Sequence, residues 1–224
     1  MGEEAARPLL ATKLFIPPLR GNLVARSRLT QRFFDSPSRK LTLILAPAGF
    51  GKTTLSSCWL TQQTRPVAWV SLDSGDNDPV LFFSYFLAAL QQIDTRIGQT
   101  GREMLQSELP NYQTLIISLI NDLIQTNQSL ILVLDDYHLI EAPEIHDALT
   151  LLIENQPPQL HLTIISRTEP PLPIAKLRAK NQLVEIGSQD LRFTQEETWQ
   201  LFQEMLGASV DPRDIDKMNS QAEG

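Results

Sequence analysis

Two stretches hold residues whose types and spacing suit phosphate chemistry. The first runs from Ala46 to Thr54 and reads Ala-Pro-Ala-Gly-Phe-Gly-Lys-Thr-Thr. It follows the apolar run Leu41 to Leu45 and opens an expected helix, the strand, loop and helix context that a phosphate-binding loop requires. Backbone N–H groups at a helix N-terminus form a concave anion site, and glycines let that backbone wrap a phosphate. Ala48, Gly49, Phe50, Gly51, Lys52, Thr53 and Thr54 are thus the expected nucleotide contacts. Lys52 is expected to reach the outer phosphates and the Thr53 hydroxyl to ligate Mg²⁺. The pattern departs at its first glycine, which is Ala46 here; that is harmless unless the position needs a positive φ. The second stretch, Leu130 to His138, has five apolar residues followed by Asp135 and Asp136. Acids at the end of a central parallel strand face the ligand crevice. Asp135 is expected to hold Mg²⁺ through water, and Asp136 to orient or deprotonate an attacking water. A plain turn is the alternative, weakened by the upstream loop. His138 either meets the γ-phosphate or is a hydrogen-bonded structural histidine.

Arginines complete the set. Arg167 ends the run His161 to Ser166 at the same expected edge as Asp135, where it can read the γ-phosphate or pair with an acid. Arg26 and Arg28 precede the first strand, from which a segment can cross the nucleotide base; solvated surface arginines are the other reading.

The elements that position these residues alternate. Strands are expected at residues 41–45, 67–72, 130–135, 161–166 and 183–186. Helices are expected from Leu29 to Phe34, Thr54 to Gln63, Val80 to about Ile93, Tyr112 to Thr126, Glu144 to Glu154 and Ile174 to Lys180. Thr194 to Glu197 is a capping box that starts a further helix through Met205. Pro17 and Pro18 forbid a helix near Thr12 to Arg20. Asp73 to Pro79 is a turn with Asn77 or Asp78 as cap, capping being favoured over cation binding. Residues 94–110 read as a polar connection, and Met1 to Pro8 as a frayed end. Alternating strands and helices predict an α/β doubly wound parallel sheet of five strands. Three regions are expected: 1–38, an extended segment and helix that contribute to the nucleotide site; 39–190, the P-loop NTPase core; and 191–224, the start of a helical or winged-helix module.

Composition narrows the classes. The 224 residues carry a formal net charge of −7, which argues against this segment gripping nucleic acid. A single cysteine, Cys58, excludes an internal disulfide and a cysteine metal cluster. No apolar run reaches the ~18–20 residues of a membrane span, and no signal peptide is visible, so the expected location is cytoplasmic.

The chain resembles the ATPase module of the large MalT-type regulators of the LuxR class, within the STAND signal-transduction ATPases. The resemblance is carried by Thr12-Lys13-Leu14, Pro17, Arg20, Leu23-Val24-Ala25-Arg26, Ala46 to Thr54, Leu132 to His138, Ser166-Arg167, Pro171-Leu172-Pro173, Leu177-Arg178-Ala179 and Asp190 to Phe193. It implies that the loop starts with Ala, that Arg26 and Arg167 sense nucleotide, and that the Arg167 strand lies between the loop strand and the Asp135 strand, as in the two-acid P-loop ATPases. It further implies an ATP-driven switch with ADP resting and ATP active forms, self-association in the ATP state, and sensor and DNA-binding parts that follow this segment in a longer protein. The alternatives are a nucleotide-holding scaffold without turnover and a small-molecule kinase, for whose lid residues 94–110 offer only Arg96 and Arg102.

Overall fold

The computed structural model describes residues 8–19, 24–34 and 39–206. Expectations for residues 1–7, for Arg20 and Leu23 and for residues 207–224 lie outside these. Five strands, β1 Leu41–Leu45, β2 Val67–Ser71, β3 Leu130–Asp135, β4 Leu160–Ser166 and β5 Leu183–Ile186, form one sheet in the order β2-β3-β4-β1-β5. Every pairing is parallel. The Arg167 strand thus separates the loop strand from the Asp135 strand. The loop strand β1 is interior, flanked by β4 and β5.

Nine helices connect and flank the strands among the described residues: α1 Ser27–Phe34, α2 Lys52–Leu60, α3 Pro79–Gln91, α4 Gln99–Met104, α5 Tyr112–Gln125, α6 Pro143–Glu154, α7 Ile174–Ala179, α8 Ser188–Leu191 and α9 Gln195–Leu206. Strand alternation sorts the core into two layers. Leu41 and Leu43, Leu130, Leu132 and Leu134, and Leu160, Leu162 and Ile164 face α3, α5, α6 and α7. Ile44, Ile131, Val133 and Ile165 face α1 and α2. The aromatic crowd of α3 is core as expected: Phe82, Phe83 and Phe86 are fully buried on the first layer. On the second layer Thr42 Oγ1 bonds His161 Nε2 at 2.9 Å, and His161 Nδ1 bonds the Arg39 carbonyl at 3.0 Å, so burial holds this imidazole neutral, its pKa near 4.

Four short elements escape the sequence reading: α4, α8, a one-turn 3-10 helix at Tyr137–Leu139, and a 3-10 turn at Ala11–Leu14. The two prolines stop a helix only from Pro17 onward, which leaves room for that turn. Capping behaves as expected. Asp78 accepts from Val80 and Leu81 N–H with Pro79 at the first helical position, and Glu197 and Thr194 close the capping box of α9. Among the described residues no helix is long and apolar enough to cross a membrane.

Candidate functional site

The loop between β1 and α2 sits at the carboxyl edge of the sheet. Gly49 has φ 87° and Gly51 φ 73°, a left-handed backbone that glycine adopts without strain. A Cβ at either would meet nothing within 4 Å, so the backbone conformation, not the space around it, requires glycine. Ala46 is not among the positive-φ residues and is buried, and its N–H extends the pairing to Ser166 O at 3.3 Å. The first-glycine departure is therefore accommodated. Ala48 and Gly49 are exposed, whereas Phe50 packs on the second core layer and anchors the loop.

Lys52 is buried at the N-terminus of α2 and donates from Nζ to the Pro47 carbonyl at 2.9 Å, which curls the side chain over the loop. Burial lowers its pKa; Asp136 and Asp135 oppose this, and Arg167 adds to it. Thr53 Oγ1 donates to Asp135 Oδ2 at 3.0 Å, bridging the loop and the end of β3. Asp135 is pushed up to about 6, first by burial and then by Asp136, against the Thr53 hydrogen bond, the Asp136 N–H and Lys52. Asp136 is one of two described non-glycine residues at positive φ (57°). This left-handed conformation, uncommon outside glycine, turns its half-exposed carboxylate away from the strand. Thr54 is exposed on the first turn of α2.

Arg167 directly follows β4, is exposed, and makes no ion pair among the described residues, although its charge lowers the pKa of both Lys52 and His138. The site thus brings together Lys52, Thr53, Asp135, Asp136, His138 and Arg167. Arg26 is placed differently. It is buried, and its Nη2 donates to the carbonyls of Leu191 at 2.7 Å and Arg192 at 3.0 Å, stands 3.5 Å from Glu197, and its guanidinium lies 4.6 Å over the Phe193 ring. Arg26 is therefore not a solvated surface arginine, whereas Arg28 is exposed and donates to Glu197 at 2.9 and 3.0 Å.

The sequence reading took Asn77 only as a possible cap and missed its long-range role. Its Nδ2 donates to the Leu139 carbonyl at 2.9 Å and its Oδ1 accepts from Glu141 N at 2.6 Å and Ala142 N at 3.1 Å. It thereby holds the turn that follows Asp136. Its setting in an acidic capping cluster gives no hint of partners more than sixty residues away.

These residues fit a magnesium nucleotide. The described residues contain no group of three or more His, Cys, Asp or Glu able to hold a metal. A hydroxyl and a carboxylate oxygen set side by side match an ion that keeps most of its water and takes its other ligands from phosphates.

No family model matches the chain. It is 38% identical over 217 residues, 96% of its length, to the HTH-type transcriptional regulator MalT of Cronobacter sakazakii, and spans 24% of that protein's length. Among solved structures it is similar to a Signal Transduction ATPase with Numerous Domains (STAND) protein with a tetratricopeptide repeat sensor from Pyrococcus horikoshii, at TM-score 0.65 and 17% identity, over 93% of this chain and 29% of that one. It is also similar to Cdc6p from Pyrobaculum aerophilum, at TM-score 0.53 and 12% identity, over 92% and 56% of the two chains. At those identities the two structures speak for the fold alone.

Proposed function

The chain is a MalT-like module with the fold of the STAND ATPases, and on that footing we propose that it is the nucleotide-driven switch of a longer cytoplasmic transcriptional regulator, resting with ADP and active with ATP. One observation carries this reading: the Thr53 hydroxyl and Asp135 carboxylate meet at 3.0 Å beside Lys52, with Arg167 unpaired among the described residues at the same sheet edge. Lys52 and the loop amides of residues 48–54 would bind the phosphates, and Thr53 and Asp135 would hold Mg²⁺. When bound, the metal neutralises phosphate charge. Asp136 orients the attacking water or takes its proton, so any hydrolysis is the chain's own slow clock for the switch. Arg167 pairs with oxygens present in ATP and absent in ADP. Arg26 would reach the nucleotide only with donors other than Nη2, which already serves the Leu191 and Arg192 carbonyls. Self-association in the ATP state belongs to the longer protein, and this acidic segment makes no direct DNA contact.

The experiment is a titration of ATP and ADP, with Mg²⁺, into the parent, Lys52→Ala and Arg167→Ala. Lys52→Ala is expected to abolish tight binding of both nucleotides. Arg167→Ala is expected to lose ATP affinity by roughly 1.5–3 kcal/mol, the scale of hydrogen bonds to charged groups, and to keep ADP affinity. A switch is biased only by such differential affinity. If Lys52→Ala binds ATP as tightly as the parent, the loop is not the phosphate site.

A further inference from the structure

The sheet edge opposite the phosphate loop gathers a second set of cations. Lys40 directly precedes β1, Gln182 directly precedes β5, and Lys176 and Lys180 lie on and just after α7. Together with Glu154, at the end of α6, they line one cavity of about 90 Å³. That is room for about three waters, far below the ~300–1,000 Å³ of a pocket for a drug-sized ligand. Three lysines thus meet one carboxylate, in a chain whose formal net charge is −7.

Lys40 is the fixed member. Its N–H donates to the Gln182 carbonyl at 2.9 Å, and its own carbonyl accepts from Leu162 N–H at 3.1 Å and from Gln156 Nε2 at 2.8 Å. Its Nζ donates to the carbonyls of Ile153 at 3.3 Å and Glu154 at 3.2 Å, where a cation suits the carboxyl end of α6. Lys176 Nζ donates to Glu154 Oε1 at 2.7 Å. The end of α6 and Glu154 therefore account for two of the three cations. The ammonium of Lys180 and the side-chain amide of Gln182 have no hydrogen-bond or ion-pair partner among the described residues. Crowding shows at Lys40, whose pKa burial lowers first and Lys180 and Lys176 lower further, with Glu154 opposing. An ammonium carries three donors and no acceptor, so the cavity offers many more donors than acceptors.

We propose that this cavity binds one phosphate group, as inorganic phosphate or as the head of a phosphomonoester. A tetrahedral oxyanion brings the acceptors that the cluster lacks, and hydrogen bonds from ammonium to phosphate are of the strong, charge-assisted kind. Its charge also relieves the repulsion among the three lysines. The cavity is too small for a peptide or a nucleotide, and it lies at the far end of β1 from the loop, so the site stands apart from the nucleotide site proposed above.

The test is an NMR titration of the 224-residue chain with inorganic phosphate and, separately, with glycerol 3-phosphate, each at constant ionic strength made up with chloride. Amides of residues 154 and 176–182 report the cavity and those of residues 48–54 report the loop, so the two sites are read apart. Saturable shifts are expected in the first set. Lys180→Gln, at an exposed position, is expected to weaken binding there about tenfold, while Lys180→Arg keeps most of the affinity. The response of the loop should be the same in the parent and in both variants. Whichever ligand binds the cavity more tightly identifies the source, free phosphate or a phosphomonoester. Shifts that chloride alone reproduces, or an affinity unchanged in Lys180→Gln, overturn the inference. Failure at the cavity with a response kept at residues 48–54 leaves the nucleotide reading standing.

Discussion

Asp135 shows how a site can oppose the stability of its own fold. Its carboxylate is almost wholly buried at the end of β3 beside a second acid, and its pKa rises to about 6 from the ordinary 3.8. In the unfolded chain the group ionises near its ordinary value, whereas in the fold it keeps its proton up to about 6. Between those two values the folded state binds more protons, so stability falls as pH rises, by roughly 2–3 kcal/mol across the window. Asp135→Asn keeps an oxygen to accept from Thr53 and from the Asp136 N–H while removing the buried charge. In denaturant titrations without nucleotide or divalent cation, this variant is expected to be more stable than the parent at about pH 7.5, with the gain shrinking towards about pH 4.5. A gain that is the same at both pH values means that burial of this charge is not its source. Much of the site was legible at this scale, because Lys52, Thr53, Asp135 and Asp136 sit in local patterns that each name a role. The meeting of Lys40, Lys176 and Lys180 and the embedding of Arg26 were not, since both depend on neighbours brought in by the fold.

Elements with strong periodicity or proline and glycine punctuation were read correctly, while short ones were not. Helix α4 spans six residues and follows Gly98, whose φ of 72° ends the preceding turn. Its Gly101 packs closely on Leu87 and Leu115, contacts that no local pattern announces. The 3-10 turn at Ala11–Leu14 has the same character, its conformation being set by what it docks on. Lys13 Nζ lies 2.6 Å from Asp76 Oδ2 and 2.8 Å from Asp73 Oδ2, and 4.6 Å from the centre of the Tyr85 ring, while Tyr85 Oη accepts from Leu10 N–H. Asp76 is completely buried and also accepts from Asp73 N–H. The amino-terminal segment is therefore pinned beside the edge strand β2 by a buried ion pair. Breaking one partner of such a pair leaves an uncompensated charge, so Lys13→Ala is expected to cost roughly 3 kcal/mol. Adding Asp76→Asn to Lys13→Ala is expected to recover part of that loss, because the stranded charge is gone. A double-mutant cycle in urea reads both, and strictly additive losses would mean that the pair contributes nothing.

Across the whole molecule, the segment before the sheet and the helix after it meet at one carboxylate. Glu197 was visible in the sequence as the acid three residues after the cap Thr194 in a capping box, and it does accept from the Thr194 N–H at 2.9 Å. The fold gives it a second task, since it also accepts from Arg28 at 2.9 and 3.0 Å and faces Arg26 at 3.5 Å. Arg26 continues the joint through the carbonyls of Leu191 and Arg192, and Arg32 bonds Asp190 at 2.5 Å and the Glu185 carbonyl at 2.7 Å. This joint crosses the boundary expected at residue 190, because α8 (Ser188–Leu191) carries one side of it. Both arginines hold Glu197 ionised: burial alone would raise its pKa, yet the Arg28 hydrogen bonds, the Thr194 N–H and the charges of Arg26 and Arg28 lower it. Glu197→Ala removes a helix cap and leaves two guanidinium groups facing each other without their counter-charge. Hydrogen exchange at the amides of α9 is therefore expected to speed up by at least tenfold, the cap alone being worth about 1 kcal/mol. Exchange in β3 and β4 should stay as in the parent, because no hydrogen bond of Glu197 reaches the sheet. If α9 keeps its protection in the variant, the arginine joint does not hold the helix down. If β3 and β4 lose protection as well, Glu197 supports the fold globally rather than the docking of α9.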